Sequence, residues 1–428
     1  MSRAVITGCG VVSALGLGAR AFWDALGEGR AGVGPIRHFD ASGLPTRVAG
    51  EVPVLRTDGA WLQEQLGASV PWAALEDWEA SGALRDRKIG FGWVAALEAW
   101  RQAGCGPGDG QGTWLSVALG LEQAFLEDFA PLLCGEGTRR PIDWSAEPGA
   151  PLPRVRFRSR IDLCADGLVR MLGLSGPVQA HVSACAAGTL AVAHAASLIE
   201  RGAATRVLCG ASDSMVNPLG LGGMSRLGAP SPRAEPDACR PFDRRRDGLV
   251  IGEGAAMFVV EAEELALARG ARPLARILGW GSTQDAYRAT APLPDGAMAR
   301  KAMQQALRRS GLGASAIGYV NAHGTGTPLN DPAEARAIRE VLGGVPVSSI
   351  KGAVGHLMAA SGAIELAACL LPFQRDCLPA TAHHRERDPD CDIDVIGEQP
   401  RQARVDAVLS NSFGFGGQNA TVILGRAP

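Results

Sequence analysis

The chain has 428 residues, 46% of them apolar and 20% charged, with 56 glycines and few aromatics. That is enough apolar material for two core-sized units or one large intertwined fold, and it excludes a disordered chain. A formal net charge of −2 supplies no global field for nucleic acid or an anionic membrane surface, and no apolar run approaches the ~20 residues that span a bilayer.

The chain opens on Met1-Ser2-Arg3-Ala4-Val5-Ile6, which enters a first strand without a signal-peptide pattern; a cytoplasmic protein is expected from its cysteine usage. The ten cysteines are scattered and form no C-x-x-C pair. A disulfide framework is therefore not expected, and most of the thiols read as buried small hydrophobes.

Strands and helices alternate along the sequence. Val5–Thr7 reads as a strand, Gly8-Cys9-Gly10 as a tight turn and Ala21–Leu26 as a helix. Leu55–Arg87 is rich in tryptophan and charge and reads as an insertion, and Glu136–Arg160 as a second irregular stretch. Val178–Ala184 reads as a strand, Ala186–Arg201 as a helix closed by Gly202, and Thr205–Cys209 and Ala255–Val260 as buried strands. A helical, charged stretch at Glu261–Arg272 marks a linker, which places a boundary near residue 262. Beyond it, Ile317–Ala322 reads as a strand, Pro332–Leu342 and Leu357–Leu371 as helices, and Ala407–Ser410 and Ala420–Leu424 as closing strands. Apolar strands alternating with helices predict an α/β fold whose sheet is covered on both faces.

Four segments carry candidate chemistry. Cys185, in Ser183-Ala184-Cys185-Ala186-Ala187-Gly188, falls between a strand and an alanine-rich helix. Unpaired N–H groups and the dipole at a helix N-terminus favour a thiolate, although a buried structural cysteine fits the same spacing. His323, in Asn321-Ala322-His323-Gly324-Thr325-Gly326-Thr327, follows a strand, where residues project into clefts; a histidine capping a turn is the alternative. His356, in Lys351-Gly352-Ala353-Val354-Gly355-His356-Leu357, opens the next predicted helix, a position that disfavours imidazolium. Lys351 and Glu365 alone fit a surface ion pair as well. The glycine-rich Asn411-Ser412-Phe413-Gly414-Phe415-Gly416-Gly417-Gln418-Asn419 suggests a loop that meets a ligand, or a turn between core strands.

Two other features carry little. Gly8-Cys9-Gly10 lacks the third glycine of a dinucleotide fingerprint. His383-His384, with Cys377 and Cys391 nearby, has no recognised metal-ligand spacing.

Taken in order, these segments resemble the β-ketoacyl-acyl-carrier-protein synthases, type II ketosynthases of the Cys-His-His branch of the thiolase superfamily. Val5 to Gly16 and Pro241-Phe242-Asp243-Arg244-Arg245-Arg246-Asp247-Gly248 extend the match over nearly the whole chain. The resemblance implies a thiolase-like α/β fold: two related halves, 1–262 carrying Cys185 and 263–428 carrying the histidines, in a five-layered α-β-α-β-α sandwich. It implies decarboxylative Claisen condensation of an acyl thioester with a malonyl carrier, in fatty-acid or polyketide biosynthesis, without metal or cofactor.

In that reading Cys185 holds the acyl group, with the backbone N–H groups of Cys185 and Phe415 as oxyanion hole. His323 and His356 stabilise the enolate. Lys351, steadied by Glu365, orders the surroundings of His356; Thr325 and Thr327 contact the phosphopantetheine arm, and Phe415 gates the acyl pockets. The partners implied are an acyl carrier protein and either a second copy of the chain or a chain-length-factor subunit.

Gln418 and Ile350 stand where threonine is usual, and Leu249 where phenylalanine is common. A basic rim for an acidic carrier is expected at Arg85, Arg87 and Lys88, or at Arg154, Arg156 and Arg158. The competing readings are a non-catalytic heterodimer subunit, against which Cys185 speaks, and a thiol hydrolase or acyltransferase that needs only one histidine.

Overall fold

The computed structural model describes residues 2–54, 56–67, 76, 78–80, 82–120, 125 and 162–427. The Glu136–Arg160 stretch, with Arg154, Arg156 and Arg158, lies outside them, as do positions 55, 68–75, 77 and 81 of the Leu55–Arg87 stretch.

One half of the chain is built from β1 (Ala4–Ser13), α1 (Arg87–Gln102), β2 (Trp114–Leu119), β3 (Val178–His181), α2 (Ala187–Glu200), β4 (Arg206–Ser214) and β5 (Glu253–Ala262). The other contains β6 (Ala275–Gln284), α3 (Ala297–Ser310), β7 (Tyr319–Asn321), α4 (Asn330–Leu342), β8 (Pro346–Ser348), α5 (Ser361–Ala368), β9 (Asp394–Val395), β10 (Ala407–Gly414) and β11 (Gln418–Arg426). Strand order across the main sheet is β9-β8-β7-β10-β11-β6-β1-β5-β4-β2-β3. The first half, β1-β5-β4-β2-β3, repeats the order and sense of the second, β6-β11-β10-β7-β8. In each, two antiparallel pairings are followed by two parallel ones. The halves meet where β1 runs antiparallel to β6, Val5 opposite Arg276.

Helices cover both faces. α1 lies on β1 and β5, α3 on β6 and β11, and α2 and α5 pack against each other between the two half-sheets. Helix, sheet, helix pair, sheet and helix make the five layers. The inner helices are rich in alanine (Ala187-Gly-Thr-Leu-Ala-Val-Ala-His-Ala-Ala in α2), and small side chains let two helices and two sheets approach closely.

Gly8 and Gly10 sit within β1 and not in a turn, because a Cβ at either would lie about 2 Å from the carbonyl oxygens of Ala99 and Ala95 on α1. They are the price of a close helix–strand contact. The helix expected over Leu357–Leu371 is broken into a 3₁₀ turn at Met358–Ala360, α5, and a short helix at Leu371–Arg375. His356 therefore precedes the helix and does not open it. It pairs with Ile251 in an isolated bridge, its N–H donating to Val250 O at 2.7 Å and its carbonyl accepting from Gly252 N–H at 2.9 Å.

All described cysteines are unpaired and buried. No helix among the described residues is long and apolar enough to cross a membrane.

Candidate active site

Cys185 lies in a 3₁₀ turn, Ala184–Ala186, that leads directly into α2. Ala184 before it has φ +45°, a conformation that costs a non-glycine residue energy, and Cys185 lines the site cavity. The thiol is 6% exposed. Burial pushes it up to about 12, while the Lys351 charge and a hydrogen bond from the Phe415 N–H pull it back. The thiolate expected from helix position alone is thus outweighed by desolvation, and the resting sulfur is a protonated thiol. The β10–β11 turn presses on this segment: a Cβ on Gly414 would sit 3.0 Å from Cys185 N, and Gly416 and Gly417 turn the chain with φ near +80°.

His323 and His356 lie opposite, their ring centroids 5.4 Å apart and nearly perpendicular. Their tautomers follow from their neighbours. The ammonium of Lys351 has three protons, and three acceptors surround it: Glu365 Oε1, His323 O at 2.5 Å and His323 Nδ1 at 3.2 Å. A fixed amide donor, the N–H of Met358, points at His356 Nδ1 from 3.1 Å, and Ser361 Oγ lies 2.7 Å from the same nitrogen. Both Nδ1 atoms accept, which leaves the proton of each neutral ring on Nε2. Burial holds both rings well below the usual imidazole range; the Lys351 charge adds to this for both, and His356 adds to it for His323.

Lys351 and Glu365 are both 1% exposed, a buried pair and not a surface one. The lysine touches His323 and not His356, contrary to the expectation that it would order the second histidine. Ser412 Oγ donates to Glu365 Oε2 at 3.2 Å and exchanges a 2.7 Å hydrogen bond with Thr189, tying the pair to α2.

Cys185, both histidines, Thr325, Thr327, Phe413 and Phe415 line one cavity of about 360 Å³, within the range that accepts a small-molecule arm. Thr325 and Thr327 hydroxyls bond each other at 2.8 Å. Of the three departures from the common pattern, only Leu249 lines this cavity; Ile350 is buried in the main core, and Gln418 pairs with Gln284 across strands. The expected basic rim dissolves in part. Lys88 is 2% exposed beside Asp86, and Arg87 binds Glu253 at 2.8 Å. Arg85 lies over the Phe125 ring. His383 and His384 are half-buried, and no group of three or more metal-ligating side chains occurs among the described residues.

Two carboxylates escaped the sequence reading. Glu334 accepts from the N–H groups of His323 and Gly324 at 2.8 and 2.7 Å. Asp331 accepts from those of Thr325, Gly326 and Phe242. Both lie in the first turns of α4 and shape the His323 loop. Acidic residues three apart at a buried helix start, just after the histidine loop, were the available signal.

The family model described as Beta-ketoacyl synthase, N-terminal domain, matches residues 1–266, and its C-terminal counterpart matches 274–385. The chain is 36% identical over 427 residues to the 3-oxoacyl-[acyl-carrier-protein] synthase 2 of Synechocystis sp., covering 98% of this chain and 97% of that one. It is 34% identical over 434 residues to the tetracenomycin polyketide synthase ketoacyl synthase alpha subunit of Streptomyces glaucescens, covering 99% and 97%. Among solved structures, the ishigamide ketosynthase/chain length factor superposes with a TM-score of 0.83 at 32% identity, with all of both chains covered. These matches span both halves of the sheet and the cavity between them, so the chain belongs to the β-ketoacyl synthase family.

Proposed function

We propose that the chain catalyses decarboxylative Claisen condensation of an acyl thioester with a malonyl-acyl carrier protein, and that the pair of Nε2–H donors opposite Cys185 carries the reaction. In the first half-reaction the Cys185 sulfur attacks the acyl thioester, and the negative oxygen is held by the N–H groups of Cys185 and Phe415. The carrier thiol departs with the proton that Cys185 loses. Burial keeps the unacylated sulfur protonated, and the start of α2 together with Lys351 favours charge only as attack proceeds.

In the second, the thioester carbonyl of the malonyl group accepts from Nε2–H of His323 and of His356. Its carboxylate leaves as carbon dioxide, the electron pair becomes an enolate stabilised by those donors, and the carbanion attacks the acyl-cysteine. Cys185 leaves as a thiolate and is reprotonated. Neutral donors suit this step because an imidazolium would quench the carbanion. Thr325 and Thr327, at the cavity wall, fit the polar phosphopantetheine arm, and Phe415 the gate. No residue of this scheme calls for a metal or a redox group.

The working division is into halves 1–262 and 263–428, with nucleophile and donors brought together across it. A carrier protein is the substrate-bearing partner. The exposed outer edge of β3 supports pairing with a second subunit, either another copy or a chain-length factor such as that named in the ishigamide structure. A cytoplasmic setting fits the unpaired cysteines.

The experiment is mass spectrometry of the carrier-bound product, with malonyl carrier and a panel of acyl primers. A two-carbon-extended β-ketoacyl carrier and an acyl adduct on Cys185 are expected. An adduct that is hydrolysed without extension would replace the synthase reading by a thiol hydrolase.

A further inference from the structure

We infer that Ser361 is a positioning residue for His356, acting on the decarboxylation step and not on acyl transfer; the inference rests on the reading of His356 as an enolate donor. The chain after His356 curls back around its ring. Met358 has φ +46°, an unfavourable value for a side chain of its size, and that turn aims its N–H at His356 Nδ1. The next amide, Ala359 N–H, is fixed at 2.8 Å on the buried carboxylate of Asp213. Ser361, 1% exposed at the first position of α5, closes the curl with its hydroxyl 2.7 Å from the same Nδ1.

The amide cannot reverse its polarity, but the hydroxyl can rotate. With the Met358 amide pointing inward, Nδ1 must be bare in the resting enzyme, so the Ser361 hydroxyl donates to it. This second donor stabilises the ring without a proton on Nδ1, which keeps the proton on Nε2 where the substrate carbonyl needs it. The backbone of His356 is clamped at both its N–H and its carbonyl, so the two Nδ1 donors set the remaining freedom, rotation of the ring. Sub-ångström error in the Nε2–H direction is what a transition-state donor tolerates least.

The test uses Ser361→Ala and Ser361→Thr in the full-length chain with malonyl carrier. One hydrogen bond of this kind predicts a three- to tenfold fall in decarboxylation and condensation kcat for S361A, on the order of the usual net value, with Cys185 acylation by acyl carrier unchanged. Because the lost donor favoured the uncharged ring, the acid limb of the decarboxylation profile should move to higher pH in S361A. S361T, which keeps the hydroxyl, should restore both rate and profile.

A parent enzyme that decarboxylates, beside an S361A variant of equal rate and identical acid limb, overturns the inference alone. Equal losses in acylation and condensation also overturn it, since they describe a merely structural serine; a melting curve for each variant accompanies the rates. A parent that acylates Cys185 yet never decarboxylates malonyl carrier overturns the reading of His356, and this inference with it.

Discussion

The ammonium of Lys351 lies 3.2 Å from Nδ1 of His323, and that contact makes the first histidine a donor of the same kind as the second. Each ring reaches the cavity with Nε2–H by a different route: a charged side chain beneath His323, a backbone amide and a hydroxyl beneath His356. Lys351→Ala removes the donor that dictates the His323 tautomer and also leaves Glu365 buried without its partner. We expect decarboxylation to fall by roughly a hundredfold or more, in line with loss of one preorganised oxyanion donor. Leaving the Glu365 carboxyl buried without that donor should also cost about 1–3 kcal/mol of stability. The double variant Lys351→Met, Glu365→Gln should recover much of the stability in denaturant titration but not the rate.

Cys185→Gln separates the two half-reactions. A glutamine amide places a carbonyl where the acyl-cysteine carbonyl would lie, beside the Phe415 N–H and opposite both imidazoles. Condensation should vanish while malonyl carrier still loses carbon dioxide, measured by release of labelled gas. Release at the background rate in this variant would contradict the roles given to His323 and His356.

The chemistry was more legible in the sequence than its supports. Cys185, His323, His356 and Lys351 all fall in short segments whose composition is odd for plain structure, and the glycine next to each of His323, Lys351 and His356 reports a close backbone approach. Strand cores were found by runs of apolar residues, but Gly8 and Gly10 misled because strand glycines and turn glycines look alike without the helix that needs them. The Leu357–Leu371 helix was overextended for a similar reason: a run of Leu, Met and Ala is helical by propensity, and only the hydrogen bonds to His356 force Met358 out of the helical region. The family resemblance ties Lys351 to His356, whereas its three protons go to His323 and Glu365. Arg87 and Lys88 read as surface charges because their partners, Glu253 and Asp86, cannot be told from other carboxylates in a list of residues.

Glu334 is the clearest example of a hidden support, and it yields a third prediction. Its carboxylate takes the N–H groups of both His323 and Gly324, and burial pushes it up to about 7 although these bonds pull it down. In Glu334→Gln one oxygen becomes an NH₂ facing a backbone N–H, leaving a buried donor unpaired at a cost of about 1–3 kcal/mol. The His323 loop should loosen, seen as faster amide exchange at His323 and Gly324. KM for malonyl carrier should change less than kcat, because the ring that loses its aim is the one the proposed mechanism uses in the transition state.

The pH dependence supplies a fourth. Both site imidazoles are held neutral well below their usual 6.5 by burial and by Lys351, so decarboxylation by Cys185→Gln should stay flat from pH 7.5 to 6. A half-maximal point near 6.5 would mean that at least one ring is exposed to water. The stability effect has a definite sign. An unfolded imidazole takes up a proton below about 6.5 while the folded ring does not, so the contribution is full above that pH. It is lost as pH falls toward the folded values, by up to about 1.4 kcal/mol per unit for each ring. Glu334 and Glu365, both pushed up to about 7 by burial, act oppositely: their contribution is present below about 4.5 and lost as pH rises through 7. These four contributions oppose one another between pH 5 and 6.5, and a single denaturation curve, which also carries the lowered histidines His181, His194, His383 and His384, resolves none of them. Comparing the parent with His356→Gln exposes one of them. The variant has one fewer proton to take up on unfolding, so its stability relative to the parent should improve progressively below pH 6.5.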